Sequence, residues 1–224
     1  MAVRAFVWLG GALFVGALLL CAWWYLTVLG QPHPSRGIDA LLVDIGLVTV
    51  FALHHSLFAR QFAKRLFGSL APHVIRSVYV YVASLLLIAV CFAWRPIGGE
   101  LYRATGVRAV PHIAVQLAGL WCIARAVATI DPLELAGIRP ESGRDGLKTS
   151  GVYAWVRHPV YLGWVLAVFG TPHMTGDRLA FAVMTTLYLV AAVPLEERSL
   201  RRSFGADYAR YAGAVKWRMI PFIY

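Results

Sequence analysis

The sequence predicts an all-α membrane protein with five to six transmembrane helices, of which the last two form a helical hairpin before a cytosolic C-terminal helical segment. Of its 224 residues, 59% are hydrophobic and only 14% are charged, whereas an ordinary soluble domain has about 25% charged residues. The mean hydropathy is +0.66. Uncharged runs recur along the chain, and about 20 apolar residues cross a bilayer as a helix. These observations exclude a soluble globular domain and a disordered chain.

The first four apolar runs each predict one transmembrane helix. Residues 5–29 form a run of 25 residues without a charge, which is longer than the apolar stretch of a cleaved signal peptide. The segment Gln31-Pro32-His33-Pro34 ends this helix. The next three runs cover about 41–58, 78–94 and 113–130. We therefore expect residues 1–130 to form a four-helix transmembrane scaffold.

A polar stretch at 131–158 separates this scaffold from two shorter apolar runs, 160–171 and 179–194. A helix of the first length extends only about 18 Å, and the hydrocarbon core is about 30 Å thick. The first run is therefore either a tilted span or a re-entrant segment. In both cases a hairpin at 160–195 returns the chain to the side from which it came. Residues 131–224, which hold most of the polar motifs, form the second predicted domain.

The distribution of basic residues predicts the orientation in the membrane. If the N-terminus is cytoplasmic, 15 Lys and Arg residues fall on the cytoplasmic side and 5 on the outer side. Cytoplasmic loops of membrane proteins carry such an excess, so we expect segments 131–158 and 196–224 to face the cytoplasm. The same bias explains the net charge of +10. We therefore predict no nucleic-acid partner.

Two polar motifs flank the predicted hairpin. Pro159 suits the first position of a helix, and the N–H groups of such an N-terminus, beside Arg157 and His158, favour an anion. Glu196 and Glu197 follow the last apolar run, and the hairpin returns them to the same face. A pocket with anion donors on one rim and carboxylates on the other suits a zwitterionic ligand. The alternatives are an interfacial anchor for the first motif and a solvated, salt-bridged helix end for the second.

Ionisable residues also occur within the predicted spans, where they tend to be functional. His54 and His55 lie near the inner end of the second helix, but adjacent residues on a helix point about 100° apart, so we predict no metal site there. A general base, a pocket lining and a hydrogen-bonded packing position all remain open. Arg125 either snorkels to the inner surface or faces the bundle interior. The non-enzyme alternatives are a haem-binding, sensory or transport protein.

Cysteines and common catalytic motifs add little to this interpretation. Cys21, Cys91 and Cys122 lie in separate apolar runs, far apart in the sequence. Because there is no CxxC pair and no disulfide framework, we expect them to be buried as small hydrophobic residues. The sequence contains no P-loop, GxGxxG, GxSxG or HExxH pattern, so it predicts none of those nucleotide, hydrolase or zinc sites.

Two blocks of the second domain resemble a known superfamily. The pattern Gly151-x-Tyr153-x3-Arg157-His158-Pro159-x-Tyr161-x-Gly163 resembles the core motif of the integral-membrane methyltransferases, which include isoprenylcysteine carboxyl methyltransferases and phospholipid methyltransferases. The later block Glu196-Glu197-x2-Leu200-x3-Phe204-Gly205 agrees. In the first domain, His54-His55-Ser56, Arg76-Ser77-x-Tyr79 and Trp94-Arg95-Pro96 are similar to the bacterial methanethiol S-methyltransferase branch.

The resemblance implies an S-adenosylmethionine-dependent methyltransferase of the bacterial inner membrane, surrounded by membrane lipid and with its catalytic face cytoplasmic. The implied cofactor site consists of Tyr153, Arg157, His158, Pro159, Tyr161, Gly163, Glu196 and Glu197. The expected acceptor is a small apolar thiol that enters from the bilayer, with methanethiol giving dimethyl sulfide. A phospholipid amine or a prenylcysteine carboxylate is the alternative. Because the thiolate is the nucleophile, His55 is the candidate base, with Arg125 or Arg76 stabilising the anion.

Overall fold

The computed structural model describes residues 1–34, 36–58, 72–130, 133, 136, 138 and 146–224. This part of the chain contains six α-helices: α1 (Ala2–Thr27), α2 (Ile38–Phe58), α3 (Pro72–Ala93), α4 (Ala109–Thr129), α5 (Pro159–Phe169) and α6 (Gly176–Ala214). Five of these described helices, all but α5, are long and apolar enough to cross a membrane. The predicted all-α, multi-pass class is confirmed. Five basic residues that contributed to the predicted orientation lie outside the described residues: Arg60, Lys64, Arg65, Arg139 and Arg144.

Short elements connect the helices. Strands β1 (Glu100–Arg103) and β2 (His173–Thr175) pair in a two-stranded sheet. Turns of 3-10 helix at Gly106–Arg108 and Gly151–Ala154 precede α4 and α5. Gly151 has a φ of +64°, in the left-handed region that favours glycine. This glycine therefore sets the direction in which the chain enters the Arg157-His158 motif.

The two runs predicted as a hairpin differ in length. α5 has 11 residues, about 16 Å of helix, while α6 has 39 residues, about 58 Å. α5 is thus too short to span a core about 30 Å thick, and only the apolar first part of α6, up to Pro194, is needed to do so. The charged remainder of α6 extends beyond that span and is interrupted at Gly205 (φ 50°, ψ −119°). The indole Nε1 of Trp164 donates to Thr185 Oγ1 at 3.0 Å and holds α5 against α6, as the predicted hairpin requires.

The chain divides into two compact units. The first comprises Met1–Glu100, Asp131–Gly143 and Thr175–Asp177, and the second comprises Leu101–Ile130, Arg144–Met174 and Arg178–Tyr224. This division differs from a boundary at residue 130, because α4 groups with the second half of the chain. The physical reason is a close approach of α4 and α5. A Cβ atom built on Gly119 would lie 2.6 Å from the carbonyl oxygen of Gly163, and small residues allow such backbone contact.

In the first unit, α3 packs against both α1 and α2. Towards the start of α1, Tyr81 stacks on Phe6 with ring centroids 4.8 Å apart, and its hydroxyl donates to the Phe6 carbonyl oxygen at 2.9 Å. Beyond the end of α3, Trp94 meets Trp24 edge to face at 5.4 Å. These aromatic contacts fix α1 against the α3 region near both ends of α1.

The buried carboxylate of Asp177 holds the segment that follows α3 in the first unit. Asp177 is 0% exposed, and its Oδ1 accepts from Trp94 Nε1 and from the backbone N–H of Ile97, both at 2.8 Å. Its Oδ2 accepts from the backbone N–H of Gly98 at 3.0 Å. Burial of a carboxylate is tolerated when its oxygens are hydrogen-bonded in this way. Asp177 therefore anchors the segment that follows α3.

Candidate active site

The C-terminal segment fixes the backbone of the Arg157-His158 motif. The N–H of Arg157 donates to the Trp217 carbonyl oxygen at 2.9 Å, and that of His158 donates to the Arg218 carbonyl oxygen at 2.7 Å. The hydroxyl of Tyr211 donates to the carbonyl oxygen of Tyr153 at 2.8 Å. The chain thus returns, after α6, across the start of α5. Sequence reasoning did not place Trp217 or Arg218 beside the Arg157-His158 motif, since the polar tail alone does not indicate where it packs.

Arg157 and Glu197 form a buried ion pair. The Nε and Nη2 atoms of Arg157 both lie 2.7 Å from Glu197 Oε1, and the side chains are only 8% and 4% exposed. The Nη1 of Arg157 also donates to the Val215 carbonyl oxygen at 2.7 Å, and Arg218 Nε lies 3.4 Å from Glu197 Oε2. The pair therefore connects α6 with both the start of α5 and the C-terminal segment.

The charges around Glu197 stabilise its ionised form. Burial alone would raise its pKa, but His158, Arg157 and Arg218 outweigh that effect and lower the pKa of Glu197 to about 2. Glu197 lies beyond the apolar part of α6, among these cations. Both oxygens of the Glu197 carboxylate contact cationic side chains of the protein itself. We therefore assign Glu197 to the internal ion pair.

Glu196 differs from its neighbour in exposure. Its side chain is 43% exposed. Its Oε1 accepts from the hydroxyl of Tyr161, and its Oε2 lies 3.4 Å from His158 Nδ1. Two groups thus hold the carboxylate in place while a large part of it stays open. Of the two adjacent glutamates, Glu196 is the one available to a ligand.

His158 is the buried centre of this arrangement. Its ring stacks on Tyr161 with centroids 5.4 Å apart, and Nε2 has no hydrogen-bond partner among the described residues, with Glu197 Oε1 3.7 Å away. Burial alone would lower the pKa of His158, but its contacts with Glu196 and Glu197 outweigh burial and raise the pKa above its ordinary value. The raised pKa favours the protonated, positively charged form of the imidazole. We call these five residues, Arg157, His158, Tyr161, Glu196 and Glu197, the polar cluster.

The other three predicted cofactor residues occupy packing positions. Tyr153 is 8% exposed and packs in a core with Cys122, Ala126 and Val152. Pro159 is buried at the first position of α5, and its carbonyl oxygen accepts from the thiol of Cys122 at 3.3 Å. Gly163 is the point at which α5 approaches Gly119 of α4. Packing thus explains why these residue types occur in the motif.

The start of α5 offers fewer anion donors than the sequence suggested. Pro159 has no N–H, and the N–H groups of Tyr161 and Leu162 both donate to the His158 carbonyl oxygen, at 3.0 and 3.1 Å. Trp155, by contrast, is 58% exposed, with its ring centroid 6.0 Å from that of Trp121. An open aromatic face therefore lies close to the polar cluster in sequence and in the same unit.

The candidate catalytic residues fall in both units. His55 and Arg76 belong to the first unit, and Arg125 is an exposed residue of α4 in the second. The Nδ1 of His55 lies 2.7 Å from the hydroxyl of Tyr79, and Tyr79 also stacks on His54 at 5.5 Å. Tyr79 was part of a recognisable motif, but only the structure shows that it touches both histidines. Among the described residues, no group of three His, Cys, Asp or Glu side chains is arranged to hold a metal ion.

Comparison with known proteins identifies the family. The phospholipid methyltransferase family matches residues 113–207, which include the whole polar cluster. Methanethiol S-methyltransferase 2 of Bradyrhizobium diazoefficiens is 37% identical over 188 residues, covering 80% of this chain and 72% of the relative. Methanethiol S-methyltransferase of Crocosphaera subtropica is 33% identical over an alignment of 239 residues, covering 98% and 93%. The protein of that name from Mycobacterium tuberculosis is 35% identical over 184 residues, covering 77% and 75%.

No solved structure matches the chain. The relatives nevertheless align over most of the chain, and the matched region holds the polar residues that the fold brings together. The chain therefore belongs to the family of integral-membrane methyltransferases that includes these methanethiol S-methyltransferases.

Proposed function

We propose that this membrane methyltransferase transfers the methyl group of S-adenosylmethionine to methanethiol and releases dimethyl sulfide. The observation that carries the proposal is the position of Glu196. Its carboxylate is held by Tyr161 and His158 and is still 43% exposed. The names of three relatives at 33–37% identity support the choice of a thiol as the acceptor.

The chemistry of the polar cluster fits S-adenosylmethionine. The ammonium group of its methionyl part suits the carboxylate of Glu196, since hydrogen bonds between charged groups are the stronger ones. Its carboxylate suits His158, which has a buried nitrogen without a partner in the described part of the chain and a raised pKa. The exposed ring of Trp155 suits the adenine, and an aromatic face also attracts a sulfonium cation. When bound, the cofactor supplies an electrophilic methyl group.

The acceptor side of the reaction requires a base. A thiol is a poor nucleophile until it loses its proton, and we assign that proton to His55. The hydroxyl of Tyr79, 2.7 Å from His55 Nδ1, orients the imidazole and selects its tautomer. Arg76 or Arg125 stabilises the thiolate. Because the acceptor is small and apolar, it enters from the bilayer.

We place the polar cluster on the cytoplasmic side of a bacterial inner membrane. The excess of Lys and Arg on that side, 15 against 5 residues, supports this orientation. The three relatives described above all come from bacteria, which supports the inner membrane. A cysteine-accessibility experiment with a membrane-impermeant thiol reagent, applied to a Cys-free variant carrying Asp207→Cys, would test the orientation. Labelling in inside-out vesicles alone is expected, and labelling of intact cells would contradict it.

A methyl-transfer assay with competing acceptors tests the proposed substrate. Purified protein receives S-adenosylmethionine labelled in the methyl group, together with methanethiol, phosphatidylethanolamine or a prenylated cysteine, and volatile and lipid products are collected separately. We expect label in volatile dimethyl sulfide. Label in the lipid extract would overturn the thiol as substrate and assign the activity to phospholipid amines.

A pH profile tests the proposed base. In a His55→Ala variant we expect kcat to fall most at neutral pH and to recover as the pH rises towards the pKa of the acceptor thiol. There the thiolate forms without help. A His54→Ala variant serves as the matched control and should keep the wild-type profile. Wild-type kcat over the whole pH range in His55→Ala would show that the base lies elsewhere.

A further inference from the structure

A closed turn at residues 219–224 ends in two exposed apolar side chains. The backbone N–H groups of residues 218–220 all donate to the Tyr224 carbonyl oxygen, at 2.9, 2.8 and 3.1 Å. These hydrogen bonds close residues 219–224 into what we call the C-terminal turn. Phe222 and Ile223 at its tip are nevertheless 85% and 77% exposed. The fold therefore holds two apolar side chains outward in a fixed position instead of burying them.

The backbone of Phe222 adopts an unusual conformation in this turn. Its φ of +66° lies in the left-handed region, which is uncommon for a bulky residue and costs free energy. Its ring contacts that of Trp217, with centroids 5.2 Å apart, so two aromatic rings lie side by side. Exposure of the Phe222 ring to water adds a second cost. An apolar environment around the turn removes this second cost.

The C-terminal turn lies at the level where α5 begins. The Trp217 carbonyl oxygen accepts from the N–H of Arg157 at 2.9 Å. The Arg218 carbonyl oxygen accepts from the N–H of His158 at 2.7 Å, and the turn follows directly. Pro159 is the first residue of the apolar helix α5. Tryptophan is enriched at the interface between membrane and water, and Trp217 occupies such a position. The tip is therefore within reach of the boundary between headgroups and acyl chains.

The surface of the chain around the turn is basic. Within residues 198–224, five exposed side chains are basic: Arg198, Arg201, Arg202, Arg210 and Lys216. The one acidic residue in this range is Asp207, which lies 3.5 Å from Arg210. Clustered Lys and Arg residues at a membrane surface attract anionic lipids. The charge next to the turn therefore suits anionic headgroups, while the apolar tip suits their acyl chains.

We propose that the C-terminal turn inserts into the membrane beside the polar cluster and that the neighbouring basic residues bind anionic phospholipid headgroups. An apolar surface beside clustered cations is the combination by which interfacial segments bind anionic membranes. A second copy of this chain would bring the same positive charge, so like charges would oppose a dimer through this surface. The C-terminal segment holds the backbone of Arg157 and His158, so the lipid contact also supports the polar cluster.

Fluorescence quenching in lipid nanodiscs tests the insertion. Ile223→Cys protein is labelled with a maleimide fluorophore in detergent and then reconstituted in phosphatidylcholine. The three native cysteines are buried, as the sequence predicted, so the added thiol is the one that reacts. A minor fraction of the lipid carries a nitroxide near the top of its acyl chain. We expect the nitroxide lipid to quench the probe, and unchanged fluorescence would overturn the insertion.

The headgroup of the nitroxide lipid tests the charge preference. At low salt, phosphatidylglycerol should quench the probe at position 223 at least about twofold more strongly than phosphatidylcholine at the same mole fraction. The difference should shrink as salt screens the charges. A probe on Leu187→Cys is the matched control, because Leu187 is 63% exposed in the apolar part of α6. It should be quenched equally by both lipids. Equal quenching at position 223 would overturn the preference for anionic headgroups.

Two double variants locate the charges. Arg210→Gln with Lys216→Gln should abolish the preference for phosphatidylglycerol at position 223. Arg103→Gln with Arg108→Gln, which changes two exposed basic residues before α4, is the matched control and should keep it. An unchanged preference in the first double variant, or crosslinking of two unlabelled chains through Ile223→Cys, would overturn the proposed lipid surface. No S-adenosylmethionine or acceptor is present, so these outcomes are separate from those of the methyl-transfer assay.

Discussion

Asp177 in the first unit and Glu197 in the second are buried carboxylates that are held in different ways. Asp177 of the first unit accepts from an indole and two backbone N–H groups, which are all neutral donors. Glu197 of the second unit is paired with the guanidinium of Arg157, and its neighbour Glu196 is still 43% exposed. Complete commitment of the oxygens to neutral donors marks a structural position. The charged groups around Glu197 and the partly exposed carboxylate of Glu196 are the features on which we base the proposed cofactor site.

Breaking the buried ion pair should have the largest effect. Arg157→Met leaves Glu197 buried without its main partner, and removal of one partner of a buried pair costs about 3–5 kcal/mol of unfolding free energy. We expect a large fall in the thermal unfolding temperature of the detergent-solubilised protein. The matched control is Arg210→Met, whose partner Asp207 is exposed. Such surface pairs contribute about 0–1 kcal/mol, so equal falls in both variants would contradict a special role for Arg157.

Titration of the polar cluster should destabilise the protein at both ends of the pH range. The pKa of Glu197 is lowered from 4.5 to about 2, so its stabilisation is present above pH 4.5 and is lost as the pH falls towards 2. The difference corresponds to about 3 kcal/mol. The pKa of His158 is raised, so its stabilisation is present below its ordinary pKa and is lost as the pH rises through the raised value.

Unfolding temperatures measured across the pH range check these two losses. In a His158→Gln variant the alkaline loss should disappear, while the acid loss should remain because Arg157 still faces Glu197. An unchanged alkaline loss in that variant would assign it to another group.

A change to Asp177 should separate stability from ligand binding. Asp177→Asn turns one acceptor oxygen into a donor and leaves an N–H group of the segment after α3 unpaired, which costs about 1–3 kcal/mol. We expect a lower unfolding temperature and, at a temperature where the variant is folded, a wild-type Kd for S-adenosylmethionine by isothermal titration calorimetry. A weakened Kd would mean that Asp177 is not purely structural.

The smallest effect is expected from one hydroxyl. Tyr161→Phe removes the donor that holds Glu196 but keeps the ring that stacks on His158. The lost hydrogen bond is worth about 1 kcal/mol, so the Kd for S-adenosylmethionine should rise about fivefold, with only a small fall in the unfolding temperature. Tyr102→Phe, which removes a hydroxyl bonded to the Thr171 carbonyl oxygen, is the matched control and should not change the Kd.

Hydropathy and motif spacing predicted much of the fold and of the polar cluster. The spans were predictable because apolar runs of about 20 residues have few alternatives to a membrane helix. The hairpin was predictable because two short runs must return the chain, and this brings Arg157 and His158 to Glu196 and Glu197. The grouping of α4 with α5 was not predictable, since the contact of Gly119 with Gly163 leaves no periodic signal.

The roles of individual residues depended on how each helix is rotated about its axis. Glu196 and Glu197 are adjacent in the sequence, yet only the packing of α6 decides which of them is buried. Tyr153 and Gly163 belong to the recognised motif, but the structure accounts for both by packing. A motif thus identifies a set of residues without separating ligand contacts from supports.

Calorimetric binding of S-adenosylmethionine to wild-type, Glu196→Gln and Asp207→Asn proteins tests the central claim most directly. Asp207 is an exposed carboxylate of the same helix, so its variant controls for lost charge alone. We predict that Glu196→Gln weakens binding by about 10- to 100-fold, as expected for hydrogen bonds to a charged group, while Asp207→Asn binds like the wild type. A wild-type Kd in a folded Glu196→Gln protein would contradict the claim that Glu196 holds the cofactor.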